Sequence, residues 1–443
     1  MNFMDGVALS RFESKANTHG RKFPVLDRPF ALARRERGRY NKSIEVKRMR
    51  KVFSSIGEYF RQTDKLLLLL CLLATGYGLV LLLVAGQAND MKDSSTVLAT
   101  VGGLDITMQF VKQFASVVLG VIAALIISAV DYEILAACWW ILAPISVVLV
   151  VLTYFIGMDT GAADDKAWLM IPGIGMTFQP SELLKIAFII TFSLHLYKTR
   201  DRLNSPLNLL LLCIHGAVPV GMIILQGDDG TALVFLFIFV VMMFAAGIKL
   251  RYFVIGGVLA AIAAPILWFY VLQPFQRDRF TIFLHPENAR LDEGYQQYQS
   301  RMIIGSGKLT GKGIAGSGQI NLPERQNDFI FSVSGETFGF IGSVLVIAIL
   351  VAIILRIFFV SRNAKDMLGS LMCMGMFATL TAQTLMNVGM NICLLPVVGV
   401  TLPFFSAGGS STTTLYLGIG LVLSVYIHSK PKTHTEELRR RRA

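Results

Sequence analysis

The sequence predicts an all-α polytopic membrane protein of about ten transmembrane helices with one large extracytoplasmic loop. Hydrophobic residues make up 54% of the 443 and charged residues only 16%, a balance far from that of a soluble domain. The apolar residues come in long blocks rather than as a helical stripe. Leu66 to Val84 carries no charge and is long enough to cross ~30 Å of hydrocarbon. Against these blocks stands a polar stretch from Pro274 to Phe331, rich in Gly, Arg, Lys and Gln. One long loop among short ones is usually a functional element.

The chain opens on a basic tail, residues 1–63, with Arg34, Arg35, Arg37 and Arg39 followed by Lys47, Arg48, Arg50 and Lys51. The formal charge of +12 concentrates at such places, which points to an anionic membrane surface rather than to nucleic acid. The tail lacks the short basic head and small-residue cleavage site of a signal peptide, so it is expected to be cytoplasmic. Within it, Val52, Phe53, Ile56, Tyr59 and Phe60 fall at helical spacing among basic residues. That pattern predicts an interfacial helix over 47–61, with a frayed, solvated tail as the alternative.

Spans are expected at 65–86, 110–130, 134–157, 179–197, 206–225, 231–248, 252–272, 334–358, 367–390 and 410–428. With the basic tail inside, the even-numbered connections lie inside too. Three of these four are basic, with Lys198, Arg200 and Arg202, then Lys249 and Arg251, then Arg356, Arg362 and Lys365. The fourth, Asp131 to Glu133, is not. A basic tail over 430–443 completes the pattern. The positive-inside rule thus places both termini in the cytoplasm of a multi-pass protein, and the loop over 273–333 outside. The transmembrane domain is expected over 64–429. Cys71, Cys138, Cys213, Cys373 and Cys393 all fall in apolar runs without metal-like spacing and read as buried free thiols.

Four outward segments carry polar chemistry. Gln179-Pro180-Ser181-Glu182 opens the fourth span; proline suits a first helical turn, and a carboxylate there meets the positive helix end. Lys185 lies three residues on from Glu182, on the same face. Capping with a local ion pair explains half of this, and a role in a site is the other reading. Gln226 to Thr231 contains the adjacent acids Asp228 and Asp229, able to bind a cation or sugar hydroxyls, although turn chemistry alone accounts better for the segment. Gly305 to Gly313 contains Lys308 and Lys312 and invites comparison with a P-loop, which fails because neither lysine precedes Ser or Thr. Its amides and ammonium groups can still hold a phosphate, and a solvated basic loop fits equally. Leu402 to Ser411 includes Ser406, Gly408 and Gly409; non-helical backbone at this depth must be buried in protein or line a polar cavity, unless it merely punctuates the helix entry.

Together these segments resemble the SEDS family, the bacterial polytopic proteins typified by RodA and FtsW. The carrying residues are Gln179 to Glu182 with Lys185, Gln226 to Thr231, Gly294-Tyr295-Gln296, Ile304 to Gly307, Leu322-Pro323-Glu324, Asp328 to Phe331 and Pro403 to Ser410. They occur in order over 65–428. The resemblance implies a peptidoglycan glycosyltransferase that polymerises lipid II outside the cytoplasmic membrane, partnered by a class B penicillin-binding protein with transpeptidase activity and by other elongation or division proteins. Such an inverting transfer needs a base near the acceptor hydroxyl and positive charge near the departing pyrophosphate. Arg301, Lys308, Lys312 and Arg325 are the candidate cations, and Glu182, Lys185, Asp228, Asp328, Ser406, Gly408 and Gly409 the remaining substrate-binding candidates. A divalent cation, Mg or Mn, is compatible with this chemistry, but no ligand cluster specifies one.

The chain departs from the family pattern where the essential loop aspartate is expected. An ungapped match puts Ala289 there; Asp292 is the aspartate available, with Glu287 and Glu293 in reserve. The turn at Asp228 carries an extra acid, Asp229. Gly335 to Gly339 holds one acid, Glu336, where two are usual. Gly318 to Asn321 lacks the lysine and tyrosine common in the division branch, which favours a RodA-like elongation role. A lipid-precursor flippase and a non-catalytic scaffold are the alternatives.

Overall fold

The computed structural model describes residues 59, 61–87, 97–101, 104–158, 166–171, 176–272, 277, 282 and 294–429. The chain divides into two units, Met1–Gln62 and Thr63–Ala443. The first is described only at Tyr59, Arg61 and Gln62, so most of the expected interfacial helix, like the tail over 430–443, lies outside the described residues.

Helices occupy all ten expected spans. They are α1 (Lys65–Ala85), α2 (Met108–Ala129), a short α3 (Tyr132–Ala137) leading into α4 (Trp139–Ile156), α5 (Pro180–Lys198), α6 (Pro206–Leu225) and α7 (Asp229–Ala245). Then follow α8 (Leu250–Ile266, extended by a π-helical turn to Val271), the loop helix α9 (Tyr295–Ser306), α10 (Ile330–Arg362), α11 (Met367–Asn391) and α12 (Gly409–Ser429). Local chemistry sets their starts. Asp64 accepts from the Leu67 amide at 3.2 Å, Asp366 accepts from the Gly369 amide at 2.8 Å, and Pro180 and Pro206 stand in the first turns of α5 and α6, where a missing N–H costs nothing.

Eight of these helices are long and apolar enough to cross a membrane, so the chain is an integral membrane protein. The two spans outside that set are α5 and α7. Helix α7 has 17 residues, about 26 Å at 1.5 Å per residue. Helix α5 carries Glu182 and Lys185, yet it is among the most enclosed, with its Glu182, Lys185, Ile189 and Phe192 side chains all buried. A helix shielded from lipid by protein can be polar.

Helices α11 and α12, the most enclosed of the long apolar helices, sit centrally. Helix α12 packs on α2, while α11 packs on α7 and α10; α1 lies against α10 and α4 against α5. Helix α8 has no buried residue. Two antiparallel hairpins, β1 (Val97–Val101) with β2 (Leu104–Thr107) and β3 (Leu169–Ile171) with β4 (Met176–Phe178), cap the end of the bundle where α5 begins. At the opposite end Arg356 pairs with Asp64 at 2.7 Å and Lys365 with Glu133 at 3.0 Å. The acidic connection that lacked basic residues thus borrows one from a neighbour.

The cysteines are all free, but their expected burial holds only in part. Cys71 and Cys373 are buried, Cys393 is half-buried, and Cys138 and Cys213 are exposed. An apolar run supplies the lipid-facing side of a span as well as its packed side, and sequence alone does not separate the two.

Candidate active site

The motif-bearing segments meet at one end of the bundle, around the starts of α5, α7, α10 and α12. Gln179 joins three of them. Its side-chain amide donates to Asp228 Oδ2 at 2.9 Å, and its backbone N–H donates to Ser410 Oγ at 3.2 Å. Asp228 in turn caps α7 through the Thr231 amide at 2.9 Å. The turn chemistry and the site chemistry of this segment are therefore the same bonds.

One turn into α5, Lys185 Nζ donates to Glu182 Oε1 at 2.8 Å, with both side chains almost wholly buried. Charges removed from water in this way need each other, and removing either partner leaves the other uncompensated.

Leu402 to Ala407 is buried non-helical backbone, as its depth requires. Ser406 Oγ accepts from the Leu402 amide at 2.7 Å and donates to the Asn327 carbonyl at 2.6 Å, and the Ala407 amide donates to the Gln326 carbonyl at 2.8 Å. Gln113 of α2 holds the other side, donating to the Ser406 carbonyl at 3.2 Å and accepting from the Gly408 amide at 3.0 Å. Gly409 begins α12. Asn387 and Asn391 of α11 both donate to the Asp328 carbonyl, at 2.8 and 3.0 Å. Neither Gln113 nor this asparagine pair was singled out by motif. Each is an amide side chain inside an apolar span, and that is the signal that could have found it.

With its backbone fixed, Asp328 presents its carboxylate toward Gly399, a left-handed glycine with φ +64° whose absent side chain would lie 3.8 Å from Oδ2. Burial first, then the neighbouring Glu324 and Asp228 carboxylates, pushes the Asp328 pKa up to about 7.

The glycine- and lysine-rich segment is built differently from a phosphate cradle. Helix α10 is broken at Gly339, where φ is 66° and ψ −157°, and the loop over 307–313 docks into the break. The Lys312 and Gly313 amides donate to the Glu336 and Thr337 carbonyls at 2.9 and 3.0 Å, while Phe340 N donates back to the Lys308 carbonyl at 2.9 Å. Gly311, with φ +84°, approaches so closely that a Cβ would stand 2.1 Å from the Thr337 oxygen. The glycines allow backbone to meet backbone. The amides of Gly311, Lys312 and Gly313 are engaged within the protein and are not available to a phosphate.

Glu336 anchors the same junction. Its carboxylate takes Arg325 Nη2 at 2.8 Å, Lys312 Nζ at 3.4 Å and the Gly318 amide at 3.2 Å. Arg325 is fully buried. Arg325, expected at the pyrophosphate, directs its guanidinium at this internal carboxylate, and Lys312 reaches the same group. Arg301 on α9 and Lys308, at positive φ, are exposed. Asp292, Glu287 and Glu293 lie outside the described residues. Among the described residues no group of three or more His, Cys, Asp or Glu is placed to hold a metal ion.

The FtsW/RodA/SpoVE family model, described as "Cell cycle protein", matches residues 64–431. Peptidoglycan glycosyltransferase MrdB of Escherichia coli K12 is 32% identical over 348 residues, covering 76% of this chain and 90% of that protein. Stage V sporulation protein E of Bacillus subtilis 168 is 31% identical over 316 residues, covering 70% and 85%. A chain of a peptidoglycan synthase complex, solved to explain how polymerization and crosslinking are coordinated, superposes with a TM-score of 0.69 at 26% identity, covering 84% of this chain and 99% of that one. With the family's motifs gathered on one face of the bundle and the match running through every span, the chain belongs to the SEDS family of FtsW, RodA and SpoVE.

Proposed function

We propose that the chain is a peptidoglycan glycosyltransferase that polymerises lipid II into glycan strands at the outer face of the bacterial cytoplasmic membrane. The observation that carries this is the convergence of Gln179, Asp228, Asp328 and Ser406 on one end of a membrane bundle belonging to this family. Basic residues at the opposite end, among them Arg200, Arg202, Lys249 and Arg251, support a cytoplasmic location for that end and for both termini.

In the reaction a carboxylate takes the proton from the acceptor's GlcNAc 4-hydroxyl as that oxygen attacks the anomeric carbon of the donor's MurNAc. The bond to undecaprenyl pyrophosphate breaks, and the pyrophosphate leaves with the electron pair. Asp292 is the proposed base. Arg301 and Lys308, exposed cations of the loop that are not drawn to Glu336, receive the pyrophosphate, where charge develops as the bond breaks. Asp328, ionising near neutrality, orients the acceptor hydroxyl. The Glu182–Lys185 pair and the Gln179–Asp228 bond hold this floor rigid. A RodA-like role in elongation fits best, with a class B penicillin-binding protein as the transpeptidase partner. The likeness to a chain of a peptidoglycan synthase complex supports such an assembly.

The test is the purified full chain with labelled lipid II in liposomes. Glycan strands are expected from the wild type and not from Asp292→Ala at equal expression. Strands that persist in that variant but vanish in Asp328→Asn would transfer the base to Asp328. Lipid movement between leaflets without strands would instead identify a flippase, and neither outcome a scaffold.

A further inference from the structure

A cavity of about 420 Å³ opens between α4, α5 and α6, running from Leu184, beside the Glu182–Lys185 pair, toward Lys198 at the other end of α5. Helices α4 and α6 carry internal prolines, Pro144 and Pro219. Proline removes a backbone bond and bends its helix, which accounts for space beside α5 where neighbouring helices otherwise pack closely. The wall is mostly apolar, with Val147, Leu184, Phe188, Val218 and Met222 among its residues.

Its polar groups gather at one end. Thr191 Oγ1 lies 3.2 Å from His215 Nε2, and His215 Nδ1 lies 3.1 Å from His195 Nδ1. Lys198 closes the row at the end of α5, beside Trp139, which is 43% exposed at the start of α4. No acidic residue lines the cavity. Arg200 and Arg202 follow immediately; the intervening Asp201 pairs with Arg200 at 4.0 Å. From Leu184 to Lys198 the lining runs about 21 Å along α5, enough to cover one leaflet of ~15 Å, half the hydrocarbon core. The groove therefore presents apolar surface at acyl-chain depth, an aromatic ring at the interface and a cation at headgroup level.

We propose that this groove is a binding site for an anionic glycerophospholipid, with one acyl chain in the cavity and the headgroup phosphate on Lys198 and His195. An anionic amphiphile suits the groove better than an apolar partner helix, because its wall ends in a cation and two imidazoles and carries no acid. The site's existence does not depend on the proposed glycosyltransferase activity. Only the assignment of the lipid to the inner leaflet rests on the sidedness given above.

The experiment is native mass spectrometry of the full chain in detergent, titrated with phosphatidylglycerol or with phosphatidylcholine of the same acyl chains. One phosphatidylglycerol is retained preferentially. Lys198→Ala lowers its retention roughly fivefold, the size expected for one basic residue at an anionic lipid surface. Val218→Trp, which fills the groove from a position already 52% exposed, removes it without lowering the melting temperature. Equal retention of the two lipids, or unchanged phosphatidylglycerol retention in Val218→Trp, overturns the proposal. Because no lipid II is present, failure here leaves the proposed activity untouched, and failure of the polymerisation assay leaves this site untouched.

Discussion

Glu336 and Asp328 lie eight residues apart at the same end of the bundle, yet their surroundings are opposite. Glu336 meets two cations and a backbone amide. Asp328 has its backbone held by two asparagines, while the charges acting on its carboxylate are those of other acids. The first arrangement neutralises a carboxylate to hold the loop against α10. The second withholds a counter-ion and leaves a group able to take or release a proton near neutral pH. An acid drawn in from solvent, wholly like Glu336 or partly like Asp328, is thus no evidence of catalysis until its partners are named, and the pair in this chain separates scaffold from chemistry within a single segment.

The contrast is broken most severely by Glu336→Gln. It leaves Arg325 buried without a counter-charge and is expected to lose about 3–5 kcal/mol, read as lower yield and a lower melting temperature in detergent. Gly311→Ala follows. A left-handed conformation for a residue with a side chain costs about 1–3 kcal/mol, and the clash with the Thr337 carbonyl adds to it. Protease cleavage of the loop over 307–313 should rise in that variant before the spans melt.

Asp328→Asn sharpens the comparison from the other side. Strand formation should fall roughly tenfold to a hundredfold, the size of one charge-assisted hydrogen bond, while the melting temperature at pH 7 should rise rather than fall, because the amide stands in for the protonated acid that the fold favours. Its pH signature has a definite sign. The folded chain keeps the Asp328 proton up to about pH 7, whereas an unfolded aspartate releases it near ~3.9. Across that window the folded state binds more protons, so this group's contribution to stability is greatest at acid pH and declines as pH rises. The substitution should flatten that slope in melts taken at intervals across the window. The smallest effect is expected for Lys308→Ala, a several-fold higher KM for lipid II with kcat nearly unchanged. An unchanged KM would remove Lys308 from the pyrophosphate site.

The spans were legible because uncharged apolar blocks have few alternatives to crossing a bilayer. Their ends were less so. Helix α10 begins at Ile330 rather than at 334, because its first turns, Glu336 included, are enclosed by the loop and need not be apolar. The motif segments were legible one by one, and the Glu182–Lys185 contact followed from helical spacing. The pairing of Arg325 with Glu336 was not, since the two meet only after the loop folds back onto the break at Gly339. The cation-rich stretch accordingly read as a surface for phosphate throughout, although one of its cations, Arg325, is interior. Asp292 was legible only through the resemblance, as the aspartate nearest the position where the family's loop acid is expected.

The enclosed ion pair of α5 has a consequence for biosynthesis. This segment leaves the ribosome before α7, α11 and α12, the helices that later surround it, have been made. It must enter the translocon as a comparatively polar stretch without them. Because Lys185 reaches Glu182 across a single helical turn, the two charges can neutralise each other in the nascent helix. Separating them, by exchanging Lys185 with Leu184 so that the lysine stands two residues from Glu182 and off its face, should delay insertion of α5 even though the composition is unchanged.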